Sequence, residues 1–191
     1  MKKFVFAMAC LGTLLCAQST VGLNINSEDI EAEGSMDISS FANSGGGGTA
    51  YVVDANFIYT ERDDTLFGIG VSAHNSFSGL EGLNFAFGAK LIMLDDFVAL
   101  PLMAEASYTL PLIETIPTTS LSARFLYAPQ PLSFSDAENY LEFRAEAAME
   151  VISSVSVYLG YRNIETEYIV WHKDTYETYN DSVYGGLKMG F

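Results

Sequence analysis

The chain has 191 residues, with 24 acidic against 9 basic side chains and a formal net charge of −15, yet it is 49% hydrophobic and 13% aromatic. That apolar and aromatic content excludes wholesale disorder, and so few cations exclude a surface that tracks nucleic-acid phosphates. The length suits one domain and leaves little room for two separate catalytic units.

Lys2 and Lys3 precede an apolar stretch from Phe4 to Leu15, followed by the small and polar residues Cys16, Ala17, Gln18 and Ser19. A short basic region, a short apolar run and small residues at the cut describe a secretory signal peptide. Residues 1–19 are therefore expected to be removed before Thr20, with a cut after Ala17 as the near alternative. The run is too short for a transmembrane helix, which takes about 20 residues. Cys10 and Cys16 both lie in this segment, so the mature chain is expected to lack cysteine, and with it disulfides and thiolate metal sites.

From Thr20 onward the dominant pattern is strict alternation of apolar and polar residues, the period of a strand with two unlike faces. Residues 20–48 hold an alternating pair, Val21, Leu23, Ile25 and then Ile30, Ala32, Gly34, Met36, Ile38, followed by a glycine-rich loop. No Gly-Lys-Ser/Thr follows those glycines, so they are no phosphate cradle. Residues 49–191 carry eight further alternating segments. Their apolar faces begin at Tyr51, Phe67, Leu83, Val98, Leu121, Leu141, Val155 and Val183, and short polar or Gly/Pro-bearing turns separate them. Neighbouring strands with short connections pair antiparallel.

Alternation suits both a soluble barrel with an apolar interior and a membrane barrel turned inside out; charge decides between them. Asp54, Lys90, Glu105, Arg124, Glu138, Glu142, Arg144, Glu146, Glu150, Arg162 and Lys188 all fall on the polar face of a strand. The opposite face is almost free of charge, and its strand ends carry Tyr51, Tyr59, Tyr108, Tyr127, Tyr161 and Phe191. An uncharged band between aromatic girdles, around a polar interior, is the pattern of a transmembrane β-barrel. The expected fold is thus all-β: an antiparallel transmembrane β-barrel of eight to ten strands with a polar lumen and a lipid-facing apolar exterior. Ten are preferred, because an alternating hairpin left outside the barrel would expose a sticky edge.

Arg124-Phe-Leu-Tyr-Ala-Pro-Gln-Pro-Leu-Ser-Phe-Ser-Asp136, Tyr140-Leu-Glu-Phe-Arg-Ala-Glu146, Tyr158-Leu-Gly-Tyr-Arg-Asn-Ile164 and the ending Tyr179-Asn-Asp-Ser182 resemble the YfaZ-type outer-membrane proteins of Gram-negative bacteria. The resemblance implies a signal peptide and an outer-membrane location, and brings no catalytic residues. The terminal Phe191 similarly resembles the end that outer-membrane barrels present to their assembly machinery.

The chemistry-bearing residues are few. His74 and Ser76 are two apart and would share a strand face, as a base and nucleophile must, but that face is the lumen, which a lipid substrate does not reach. His172, beside Trp171, Lys173 and Asp174, matches no metal-ligand spacing. No catalytic, cofactor or metal residues are expected, and the expected role is structural or envelope-associated, with at most a narrow cation-preferring pore. The alternatives are an outer-membrane lipid-modifying enzyme and a soluble periplasmic β-barrel that binds a small ligand. The expected partners are outer-membrane lipids, the assembly machinery through the C-terminal strand, and divalent cations at acidic loops. With a periplasmic C-terminus, those loops are residues 27–29, 61–64, 95–96, 128–136 and 164–176, which hold Glu28, Asp29, Glu61, Asp63, Asp64, Asp95, Asp96, Asp136, Glu165, Glu167 and Asp174 against Arg62 and Lys173.

Overall fold

The computed structural model describes residues 19–41, 48–60, 65–94, 97–111, 117–135, 137–170 and 173–191. The signal segment, Trp171, His172 and the acidic residues of 61–64 and 95–96, with Asp136, lie outside them. The described strands are β1 (Ser19–Ile25), β2 (Asp29–Asp37), β3 (Ala50–Thr60), β4 (Thr65–Ser76), β5 (Leu83–Leu94), β6 (Phe97–Ala99), β7 (Leu102–Thr109), β8 (Thr119–Ala128), β9 (Ser133–Ser135), β10 (Ala137–Ile152), β11 (Val155–Val170) and β12 (Lys173–Gly190).

Antiparallel ladders join β1, β2, β3, β4, β5, β7, β8, β10, β11 and β12 in that cyclic order. β1 then pairs with β12, from Thr20↔Gly190 to Ile25↔Gly185. The sheet therefore closes on itself as a ten-stranded barrel, and the N-terminal hairpin is two of its staves. The amide of Phe191 donates to the Ser19 carbonyl at 2.9 Å. A signal cut before Thr20 would remove that acceptor, whereas a cut after Ala17 keeps it.

β6 and β7 are one strand interrupted at Leu100-Pro101. Proline has no amide to give, and its carbonyl accepts from Lys90 N at 3.0 Å. β9 pairs with β6 beyond the end of the β7–β8 ladder, after a short 3-10 turn at Gln130–Leu132. The β10–β11 connection is a tight turn in which Ser154 has φ +68° and its amide is held by Glu150 Oε1 at 3.1 Å.

The walls are inverted relative to a soluble barrel. Phe87 (64% exposed), Leu159 and Val183 face outward, with Leu23, Phe57, Ile69, Leu102, Leu121, Phe125 and Leu187. Asn24, Glu31, Lys90, Glu142, Arg144, Arg162 and Asn180 are buried inside. Inward glycines make room for large side chains on the facing strand. A Cβ at Gly160 would meet the Tyr184 ring at 2.5 Å, and one at Gly186 would meet Tyr158 at 2.6 Å. Each tyrosine thus fills the space over its own glycine partner across the β11–β12 ladder, Tyr184 over Gly160 and Tyr158 over Gly186.

Two features depart from the sequence reading. Residues 164–176, expected as a loop, are mostly strand, because β11 runs to Val170 and β12 starts at Lys173. That stretch lacks sustained apolar–polar alternation, which hid a ladder whose pairs run out to Val170↔Lys173. Asp29, counted among the acidic loop residues, is instead the first residue of β2 and is buried.

Candidate functional site: the lumen

Ser19 and Phe191, the outermost described residues, lie at one end of the barrel, where β2, β4, β7 and β10 finish; β1, β3, β5, β8 and β11 finish at the opposite end. From one end to the other the interior changes character.

Nearest the opposite end it is apolar. Ile58, Leu66, Ile92, Phe97, Met103, Leu126, Tyr140 and Ile164 form one buried cluster, with Leu94, Leu132 and Tyr179 packed against it. These side chains share the lumen-facing register of their strands with the polar residues further in. Phe97 and Tyr140 meet ring to ring, with centroids 5.8 Å apart. The cluster packs within the lumen at that end, and burying it out of water is worth roughly 1.5–3 kcal/mol per large side chain.

Beneath the apolar layer lies a network of charges with Glu31 at its hub. Arg144 places two guanidinium nitrogens on Glu31, at 2.9 and 2.8 Å, and Arg162 bonds the same carboxylate through Nη1. Asn24 and Asn56 also donate to Glu31, at 2.9 and 2.6 Å. Arg162 Nη2 bridges both oxygens of Asp29 at 2.7 Å, and Asn180 donates to Asp29 as well. Glu142 accepts from Arg144 Nε and from the Tyr140 hydroxyl at 2.6 Å. The side chains of Arg162, Asp29 and Glu31 are 0% exposed. Charges this deeply buried persist only when paired and hydrogen-bonded, and each here has at least two partners. The network links β2 to β10, β11 and β12 across the bore.

Toward the terminal end the pairs become wetter. Lys90 meets Asp54 at 2.6 Å, Arg124 meets Glu105 at 2.6 Å, and Lys188 sits 3.0 Å from Glu33 and 3.7 Å from Glu146. Glu146 also accepts from the Tyr184 hydroxyl at 2.6 Å. Between these side chains are two small voids of about 60 and 80 Å³, the first bordered by Asn56, Lys90 and Lys188, the second by Glu105, Ser122 and Glu146. Voids of that size hold a few waters.

Nine of the eleven charged residues named from sequence thus sit in or beside these pairs. Glu138 and Glu150 lie at the ends instead: Glu138 accepts from exposed Gln130 at 3.2 Å, and Glu150 holds the Ser154 turn. Glu31 and Glu33 escaped sequence reading, which also counted Asp29 only as a loop residue, although Glu31 and Glu33 alternate with Ile30, Ala32 and Gly34 on β2. Their signal was that alternation, usable only once β2 is a stave of the barrel.

His74 Nε2 lies 2.9 Å from Ser72 Oγ, while Ser76 Oγ donates to Asn84. The His74–Ser76 pairing considered from sequence is therefore not made. Among the described residues there is no group of three or more His, Cys, Asp and Glu arranged to hold a metal ion.

No relative is found among curated proteins. Among solved structures, the chain is similar to a KdgM porin at 9% identity and a TM-score of 0.45, covering 92% of this chain and 99% of that one. It is similar to a NanC porin at 8% identity and a TM-score of 0.40, covering 91% and 98% respectively. At such identities and scores neither informs on what this lumen does. The family model described as YfaZ precursor matches residues 1–191. With the whole length matched, the chain belongs to the YfaZ family.

Proposed function

We propose that this protein is a small, exported outer-membrane β-barrel with a sealed lumen and a structural or envelope-associated role, not an enzyme or a general diffusion pore. The observation that carries the reading is the inversion of the walls, with Phe87 and Val183 more than 60% exposed on the outside and Arg162 and Glu31 fully buried inside. Such a surface is stable against lipid, and a closed barrel satisfies the backbone where water is absent. The signal-like segment and the family match fit export. Outer-membrane lipids are then the main partner, and the acidic connections offer weak sites for divalent cations.

A barrel of about eight strands is just wide enough for side chains to fill it. In this slightly wider barrel, the apolar layer and the Glu31 network do the filling. The lumen ion pairs involve seven carboxylates and five cations, so residual leakage prefers cations. The Ser72–His74 contact faces the lumen, away from any lipid substrate. Planar-bilayer recordings of the purified barrel are expected to show a silent protein, or brief, small, cation-selective events. Large, weakly selective openings would overturn the sealed-lumen reading.

A further inference from the structure

The strands differ in length around the barrel, and the longest are the last three. β1 has 7 residues, β3 has 11, β10 and β11 have 16 each and β12 has 18. A membrane strand needs about 9–11 residues, so β11 and β12 overshoot the band, and the rim slopes from a low β1–β2 turn up to a tall β10–β11–β12 tongue. β12 is where this slope leaves backbone exposed. On its β11 side it is paired along nearly its full length, out to Lys173. On its β1 side the pairing stops at Gly185, and from Tyr184 outward no described strand lies against it. Beyond that point side chains reach the N-terminal hairpin, Asn26 Nδ2 to Ser182 Oγ at 2.8 Å and Asn180 Nδ2 to Asp29.

The direction of the backbone groups follows from the ladder. Phe191 donates toward β1, to Ser19, whereas Gly190 donates the other way, to Ser154. Alternation then turns the amides of Val183 and Asp181 toward the β1 side. The register shift that makes Tyr179 an extra residue opposite Ile164 and Glu165 moves the parity by one, so Thr178, Tyr176 and Asp174 follow. A row of unpaired amides and carbonyls is a template for another strand, and natural proteins usually shorten, charge or cover it. This edge is long, and the charge near it is mostly negative. Glu165, Glu167, Asp174, Glu177 and Asp181 stand on the two strands of the tongue against Lys173.

We propose that the outer edge of β12, residues 173–181, is a docking edge for an extended basic segment of another protein, which adds to the sheet as a further strand. Main-chain hydrogen bonds supply the affinity in this mode and side chains the selectivity; here the selectivity is for Lys or Arg at alternate positions. A second copy of this chain does not fit, because two β12 edges would bring like charges opposite one another, which destabilises a strand pair.

The edge belongs to the folded barrel and is independent of which membrane holds it, so it can be tested in zwitterionic detergent. The probe is a fluorescent ten-residue peptide alternating Lys and Thr. The controls are a Glu-Thr peptide and a Lys-Thr peptide N-methylated at every backbone amide, which keeps its charge but has no amide to donate along either edge. Saturable binding of the Lys-Thr peptide is expected, at least tenfold weaker for both controls and for Thr178→Pro, which removes one outward amide and leaves the β11 ladder intact. Heat-modifiable gel mobility checks that the variant folds. If it does not fold, the N-methylated peptide on the unaltered barrel decides. Equal binding of the N-methylated peptide would reduce the site to charge alone and overturn strand addition. Equal binding of the Glu-Thr peptide, or no saturable binding, would overturn the proposal outright.

Discussion

At the scale of single residues, the lumen separates ion pairs that matter for stability from those that contribute little. Glu31 is fully buried between Arg144 and Arg162, while the Arg124 side chain of the Arg124–Glu105 pair is 29% exposed. Removing one partner of a buried pair typically costs about 3–5 kcal/mol, because the other charge is stranded; a hydrated pair is worth about 0–1 kcal/mol. Glu31→Ala is expected near the lower end of the first range, since Arg144 keeps Glu142 and Arg162 keeps Asp29. Glu105→Ala is expected to cost about 1 kcal/mol or less. Urea unfolding of the barrel in lipid vesicles measures both, and equal losses would mean that the network around Glu31 is as wet as the terminal end. Several of these roles were legible in the sequence: charge on the polar face at Lys90, Arg124, Arg144, Arg162 and Lys188 marks the lumen. Which carboxylate each cation chooses was not, because partners such as Glu31 and Arg144 are 113 residues apart and only closure of the barrel brings them together.

At the scale of elements, the N-terminal hairpin decides whether the barrel has eight or ten staves. Alternation of Leu23 and Ile25 with polar residues reads as strand, but β1 is short, and nothing local says which strand it joins. The answer is long-range: β1 closes the ladder to β12 in a register that places Leu23 opposite Leu187. The mature chain after the signal segment has no cysteine, so Leu23→Cys with Leu187→Cys makes a clean probe. Directly opposed antiparallel residues lie about 4.5–5.5 Å apart between Cα atoms, within disulfide range. Mild oxidation of the double variant is expected to give an internal cross-link that shifts its gel mobility, reversed by reductant. An eight-strand barrel with a detached hairpin would give none. The long β11–β12 hairpin was missed for the opposite reason. Residues 164–176 read Ile-Glu-Thr-Glu-Tyr-Ile-Val-Trp-His-Lys-Asp-Thr-Tyr, without sustained alternation, so the hydrophobic period that reports a half-buried strand is missing there although the ladder continues.

At the scale of the whole molecule, the polar lumen and apolar exterior follow from the charge pattern, whereas the apolar layer at one end of the lumen does not follow from it. Ile58, Leu66, Ile92, Leu126 and Ile164 occupy the polar-face register of five strands, each toward the same end of the barrel. In one sequence they look like irregularities in the alternation. Only the registers of adjacent strands, with β3 against β4 and β4 against β5, collect them into one plug. The central claim is that the outward register meets lipid while the inward register is enclosed. Its most direct measurement is spin-label accessibility in reconstituted vesicles, with single-cysteine variants at consecutive positions along β5, such as Phe85→Cys, Ala86→Cys, Phe87→Cys and Gly88→Cys. The odd positions are expected to be relaxed by oxygen dissolved in the bilayer and protected from a water-soluble nickel chelate. The even positions should be shielded from oxygen, giving a period of two along the strand. Odd positions relaxed by nickel rather than oxygen, or no alternation at all, would contradict a barrel turned outward to lipid.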